Sequence, residues 1–276
     1  MRLPRSYTLP AQSLFHFMWR AINGEFFLST DDRKRVFLDR FFKFSHVAGG
    51  AVLVYAFVAM SNHFHKAGEL LGDSNPLSRW ARSAHASFAL WLNRKLGRRG
   101  PVAQDRPKTV VAEDQEHLKR LMFYIDWNPV RAGMCQHPSQ YEFSSYRYYA
   151  YGEVNKWTQC LTPPLWYVEL GSTPEERQER YRQECDRYFR EGLVPDDASV
   201  DDPPAMGSPQ FVKRRTVLMK AIGKLLVAHT MLREDIDYLV RLAFGPAAAV
   251  RSEDSMRPEN RQCPGPLVAE AGPAVS

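Results

Sequence analysis

The sequence predicts an α+β fold, an antiparallel or mixed sheet with helices on one face. Three observations carry this. The first 130 residues read in the order strand, helix, strand, strand, helix, strand, helix. Their helical stretches repeat apolar residues every three or four positions. The chain has 276 residues, 44% hydrophobic and 25% charged, enough to bury a sizeable core without a disulfide or metal staple.

Ser13 to Ala21 (SLFHFMWRA) is aromatic-rich and reads as a strand, closed by an Asn23-Gly24 turn. Thr30-Asp31-Asp32 can cap a helix, and Val36, Phe37, Arg40, Phe41 and Phe44 fall at helical spacing through His46. Gly49-Gly50 ends that helix. Ala51 to Met60 (AVLVYAFVAM) reads as a central strand, Ser61-Asn62 as a turn, and His63 to Leu70 as the strand running back. Asn75-Pro76 opens an amphipathic helix with Trp80, Ala84, Phe88 and Trp91 or Leu92 on one stripe. A basic loop follows, Gly97 to Pro101, then a short strand from Lys108 to Ala112. The last helix of this set runs from Glu113 to about Asn128, where Pro129 is expected to stop it.

Past Tyr151 the character changes to a helical C-terminal extension. Ser172-Thr173-Pro174-Glu175-Glu176 carries cap residues, a proline at the first helical position and acids in the first turn, so a helix runs to about Glu191. Val194 to Pro209 reads as a linker. A helix from Pro209 to about Ala228 carries Lys213, Arg214, Arg215, Lys220 and Lys224, with Val217, Leu218, Ile222 and Leu225 opposite. A last helix is expected over 234–244 and a disordered tail over 245–276. The domain reading is 1–150, 151–244 and the tail 245–276.

Composition excludes a mostly disordered chain, a collagen-like fibre and a disulfide scaffold. The 37 Lys+Arg against 31 Asp+Glu give +6, which permits a polyanionic partner without requiring one. Four cysteines lie in no metal-binding pair and are expected to be reduced. With no signal-peptide pattern and no apolar run long enough to span a bilayer, the expected location is cytoplasmic, with no membrane partner.

Two short patterns carry chemistry. In His63-Phe64-His65 on a strand, both imidazoles share a face and make half of a divalent-metal site. Tyr124 and Asn128 lie four apart on the last helix, so they share one face, with Tyr124 off the apolar stripe. A free phenol, with a pKa of about 10, is a poor nucleophile. It can attack phosphorus where a metal polarises the phosphate oxygens and a base or water takes the proton.

Together, and in this order, the patterns resemble the single-tyrosine HUH transposases (the IS200-like transposase domain), most closely the REP-associated tyrosine transposases. The resemblance rests on Met60-Ser61-Asn62-His63-Phe64-His65, on Ala103-Gln104-Asp105-Arg106-Pro107, on Tyr124 through Gly133 and on Phe143-Ser144-Ser145-Tyr146. The early segment Phe15-His16-Phe17 through Arg20 also looks like the family's N-terminal region. The chain departs from the pattern at Lys66, Ala103 and Pro107.

The resemblance implies a ferredoxin-like antiparallel sheet, the HUH endonuclease domain, over about residues 10–150. It implies His63, His65 and Asn128 as ligands of magnesium or manganese. Tyr124 would be the nucleophile that cuts and rejoins single-stranded DNA, of hairpin or palindromic form, through a 5′-phosphotyrosine link. Relatives act as monomers or as homodimers. DNA contacts are expected from Arg98, Arg99, Gln104, Arg106, Lys108 and Arg131, and the tyrosines 146, 148, 149 and 151 offer stacking faces. The leading reading is therefore a metal-dependent transposase or nickase. The alternatives are a decayed or domesticated nucleic-acid-binding protein on the same fold, and a metalloenzyme acting on a small substrate.

Overall fold

The computed structural model describes residues 3–195 and 205–228. A short helix α1 (Arg5–Thr8) precedes β1 (Leu14–Arg20), α2 (Asp31–Lys43), β2 (Val52–Ala59), β3 (His63–Leu70), α3 (Asn75–Lys95), β4 (Lys108–Ala112) and α4 (Gln115–Arg131). The extension contributes α5 (Tyr146–Tyr151), α6 (Leu165–Val168), α7 (Pro174–Arg190), β5 (Ala205–Met206) and α8 (Pro209–Ala228). The fold is α+β. Strands lie in the order β2-β3-β1-β4-β5, antiparallel except for the β4–β5 pair. Its first four strands have the ferredoxin-like β-α-β-β-α-β order.

The caps are those the residues announce. The Thr30 side chain accepts from the Arg33 amide at the start of α2. Thr173 and Glu176 close a capping box on α7. On α2, Phe37, Leu38, Phe41 and Phe42 turn inward; on α3, Leu77, Trp80, Ala84, Phe88 and Leu92 do. Both helices pack on one face of the sheet. Phe37 and Phe41 meet Phe64 with ring centroids 5.2 and 4.7 Å away, and Trp19 lies 5.1 Å from Phe37.

The expectation of helices on one face holds for α2 and α3 alone. Helix α4 covers the opposite face, where Tyr124 meets His65 edge-on with centroids 5.5 Å apart. Two buried faces need two helical layers, and the strands are buried almost throughout. Helix α4 also passes through Pro129 and ends at Ala132 instead of capping at Asn128. The proline removes the N–H that would bond to the Ile125 carbonyl, but only Val130 and Arg131 follow it in the helix, so little of α4 lies beyond the break.

Gly68 lies on β3 between β1 and β2, and a Cβ there would collide with the Leu53 carbonyl oxygen and come 3.0 Å from the Phe15 ring. The adjacent β2–β3 register shifts between Val54 and Ala56. The glycine therefore answers a close backbone approach.

Residues past 150 complete the core. Phe123 of α4 packs edge-on against Trp166, Tyr181 and Tyr188, and Trp127 stacks on Phe189 at 3.8 Å. The Trp127 indole donates to the Cys185 carbonyl at 3.2 Å. Tyr181 donates to Asp126, whose carboxyl burial pushes up to about 8. Tyr146 and Tyr149 are buried in this packing, while Tyr151 is exposed.

The stretch read as a linker contains β5, which adds a parallel edge strand beside β4; 196–204 lie outside the described residues. The helix expected over 234–244 and the tail over 245–276 lie outside them too. On α8 the expected division of faces fails at two positions. Arg215 is buried and donates to the Thr8 carbonyl oxygen, while Val217 is exposed. Cys135 and Cys185 are free thiols, but Cys160 is disulfide-bonded, against the expectation of four reduced cysteines. Among the described residues, no helix is long and apolar enough to cross a membrane.

Candidate active site

The site is built on the sheet face that α4 covers. Strand parity sets it up. On β1, Phe15, Phe17 and Trp19 point to the α2/α3 side, so His16, Met18 and Arg20 point to the α4 side. Register then pairs Met18 with His65 and Arg20 with His63. On the other flank it pairs Met18 with Lys108. The α4 face of the sheet thus carries His16, Met18, Arg20, His63, His65 and Lys108. Above it, Tyr124, Asn128 and Arg131 follow at i, i+4 and i+7 along α4.

A cavity of about 240 Å³ lies between the two layers, lined by Met18, Arg20, His63, Tyr124, Asn128, Arg131 and Ala132. Four residues singled out from the sequence, His63, Tyr124, Asn128 and Arg131, meet there. His63 and His65 are perpendicular with centroids 4.8 Å apart. The His63 Nδ1 lies 2.7 Å from Asn62 Oδ1, an acceptor and nearer than the Asn128 oxygen that faces Nε2, so in the neutral ring Nδ1 carries the proton and Nε2 keeps its lone pair. That Nε2 sits 3.4 Å from Asn128 Oδ1, a second lone-pair atom. Two acceptors converging at this spacing suit one shared cation.

His65 lies beneath the cavity, 1% exposed. Burial first, then His63, His16 and Arg20, push its pKa well below 6.5, so it stays a neutral imidazole. Tyr124 is also 1% exposed, and the Arg131 guanidinium lies 5.3 Å from its ring centroid. Arg131 Nη1 donates to the Pro195 carbonyl at 2.8 Å, tying the cavity rim to the segment after α7.

The other expected contacts divide. Lys108 lies on the site face of β4. Gln104 joins the end of β1, its amide donating to the Arg20 carbonyl at 2.9 Å. Arg98, Arg99 and Arg106 do not line the cavity. Arg98 lies over the Phe27 ring at 4.6 Å, and Arg106 donates to the Leu3 carbonyl at 2.5 Å.

Sequence reasoning missed Arg20 and His16 as site residues. A signal was present: Leu14, His16, Met18 and Arg20 alternate with Phe15, Phe17 and Trp19, a two-residue period with one polar-tending face.

A second group of possible ligands, Glu113, Asp114 and His117, brings its ligand atoms within 4.8 Å of one another. These side chains already serve as caps. Asp114 accepts from the His117 amide and lies 2.7 Å from its Nδ1, and Glu113 accepts from the amide and hydroxyl of Ser208 at the start of α8. His117 stands seven residues before Tyr124, about 10 Å away along the helix axis.

No family model matches the chain, and no curated protein matches it. One solved structure that is similar in part is that of a REP-associated tyrosine transposase bound to a REP hairpin. The two are 19% identical, the TM-score is 0.46, and the match covers 56% of this chain and 89% of that one.

Proposed function

We propose that this chain is a single-strand DNA transposase or nickase that cuts and rejoins its substrate through Tyr124. The observation that carries the reading is the convergence of Tyr124, His63, Asn128 and Arg131 on one cavity. These are the residue types such chemistry needs, on the positions the sequence motifs marked.

The Tyr124 phenol oxygen attacks the scissile phosphorus. A P–O(tyrosine) bond forms, the P–O3′ bond breaks, and the 3′-oxygen leaves with a proton as a free hydroxyl. A second 3′-hydroxyl reverses the step and transfers the strand. The phosphodiester energy is conserved in the phosphotyrosine, so no nucleotide is consumed. His63, His65 and Asn128 would hold a divalent cation, which supplies charge stabilisation at the phosphate oxygens. The nitrogen-rich donor set favours manganese over magnesium. Arg20 and Arg131 flank the same space and offer forked donors to the phosphate. Lys108, at the start of β4, and Gln104, beside the end of β1, extend this surface. Residues 1–150 supply the chemistry, and 151–195 brace α4 from behind. The substrate is single-stranded DNA of hairpin or palindromic form.

The burial of Tyr124 favours a second reading, a non-catalytic nucleic-acid-binding protein on the same fold. One experiment separates them. The protein is incubated with a single-stranded hairpin oligonucleotide and MnCl₂, and covalent adduct is read on a denaturing gel. The transposase reading expects an adduct with the wild type, none with Tyr124→Phe, and equal salt-sensitive binding by both. Binding without any wild-type adduct would establish the second reading.

A further inference from the structure

A third imidazole stands behind the histidine pair. His16 Nε2 lies 2.7 Å from His65 Nδ1. The two rings are nearly parallel, 7° apart, with centroids separated by 4.9 Å. Parallel rings that distant, joined by so short an N–N contact, lie end to end in one plane. The contact is an in-line hydrogen bond and not a face stack. Both rings are 1% exposed, and both stand edge-on to Tyr124.

A neutral imidazole has one N–H and one lone pair, so the bond has two possible senses. If His16 donates, His65 carries its proton on Nε2 and cannot bind a cation through that nitrogen. If His65 donates, its Nε2 is bare, and His16 keeps its own proton on Nδ1. A histidine without such a partner favours the Nε2–H form, which is the wrong one for a ligand. His63 is set in the other sense by a different device, the Asn62 oxygen on its Nδ1.

We infer that His16 is a positioning residue, accepting from His65 Nδ1–H so that His65 presents a bare Nε2 to the cation. The inference rests on the reading of His63, His65 and Asn128 as metal ligands. Because its Nε2 is engaged with His65, His16 acts on the cation through that ring and not as a ligand itself. The arrangement also explains why a histidine occupies the site face of β1 opposite Ala67, where any apolar residue would fill the layer.

The test has two arms. Nitrogen-15 NMR of the metal-free protein reads the His65 tautomer, and calorimetric titration with MnCl₂ reads affinity. Expected in the wild type is a protonated Nδ1 and a bare Nε2 on His65. His16→Phe, which keeps an aromatic ring but removes the acceptor, should weaken Mn²⁺ by roughly 10–100-fold and shift His65 toward the Nε2–H form. His16→Gln, whose side-chain oxygen can accept, should stay within a few-fold of the wild type and hold the tautomer. A wild-type His65 protonated on Nε2 overturns the inference, as does His16→Phe with affinity and tautomer unchanged. A wild type that binds no Mn²⁺ removes the metal reading instead, and the tautomer still decides the role of His16. Should His16→Phe fail to fold, the wild-type tautomer and the His16→Gln titration decide it.

Discussion

The two faces of β1 and β3 are built from alternate residues of the same strands, yet they do different work. One face carries Phe15, Phe17, Trp19 and Phe64 into the aromatic layer of α2 and α3. The other carries His16, Arg20, His63 and His65 beneath α4. The contrast shows how a thin sheet serves a packed core and a polar cavity at once: neighbouring residues one position apart face separate environments, so the core can be dry while the cavity stays polar.

Lys66 is the exception that tests the contrast. It lies between the site face and the core on the wrong parity for the site, fully buried in the aromatic layer. Its Nζ is 3.8 Å from the Trp80 ring centroid, 5.0 Å from that of Phe17 and 5.1 Å from that of Phe41. It makes no hydrogen bond among the described residues. Burial, reinforced by Arg5, holds its pKa well below 10.5, a shift toward the neutral amine.

The strongest way to break the contrast is to change one residue on each face of β3. His63→Ala should reduce adduct formation more than 100-fold while moving the urea midpoint little, since His63 lies at the cavity and fills no core space. Phe64→Ala, one residue on, should cost about 3–5 kcal/mol of stability. Comparable stability losses at the two positions would mean the faces are not distinct. Lys66→Met should come next, stabilising the protein by roughly 1–3 kcal/mol at pH 7, because an apolar chain of similar length replaces a desolvated amine. A Met variant less stable than the wild type would mean that the aromatic layer retains the charged lysine through cation–π contacts.

The smallest effect concerns His85, half-buried among Phe17, Trp19, Phe37 and Phe41. Burial, then Lys66 and Arg5, lower its pKa from 6.5 to about 3. The unfolded chain takes up this proton below pH 6.5 and the folded one only near 3, so unfolding is favoured as pH falls through that window. Urea unfolding across pH 3–7 should show a steeper loss in the wild type than in His85→Asn, by up to one proton. Parallel curves would place His85 in contact with water.

Much of this was legible in the residues. The four strands of the ferredoxin-like unit, the α2 and α7 caps and the shared faces of His63 with His65 and Tyr124 with Asn128 follow from local rules: a period of two, a period of 3.6 and side-chain acceptors for open amides. The exit of α4 differs from the expectation because Pro129 disfavours a helix, yet only two helical residues follow it, and packing against α6 and α7 offsets the lost hydrogen bond. The strand β5 was missed because two residues in a proline-rich stretch carry no periodic signal.

By itself the sequence determined which residues of β1, β3 and α4 share a face and about where the four strands of the ferredoxin-like unit and helices α2, α3, α4 and α7 begin. It placed the histidine pair, the tyrosine and the asparagine on a strand and a helix. Only the tertiary structure decided that α4 closes over the histidine face, that Arg20 enters the cavity and that His16 stands end to end with His65. Alternation along one strand says which residues point the same way, but not which strand pairs with it or in what register. That choice is made by long-range burial, which no local pattern contains.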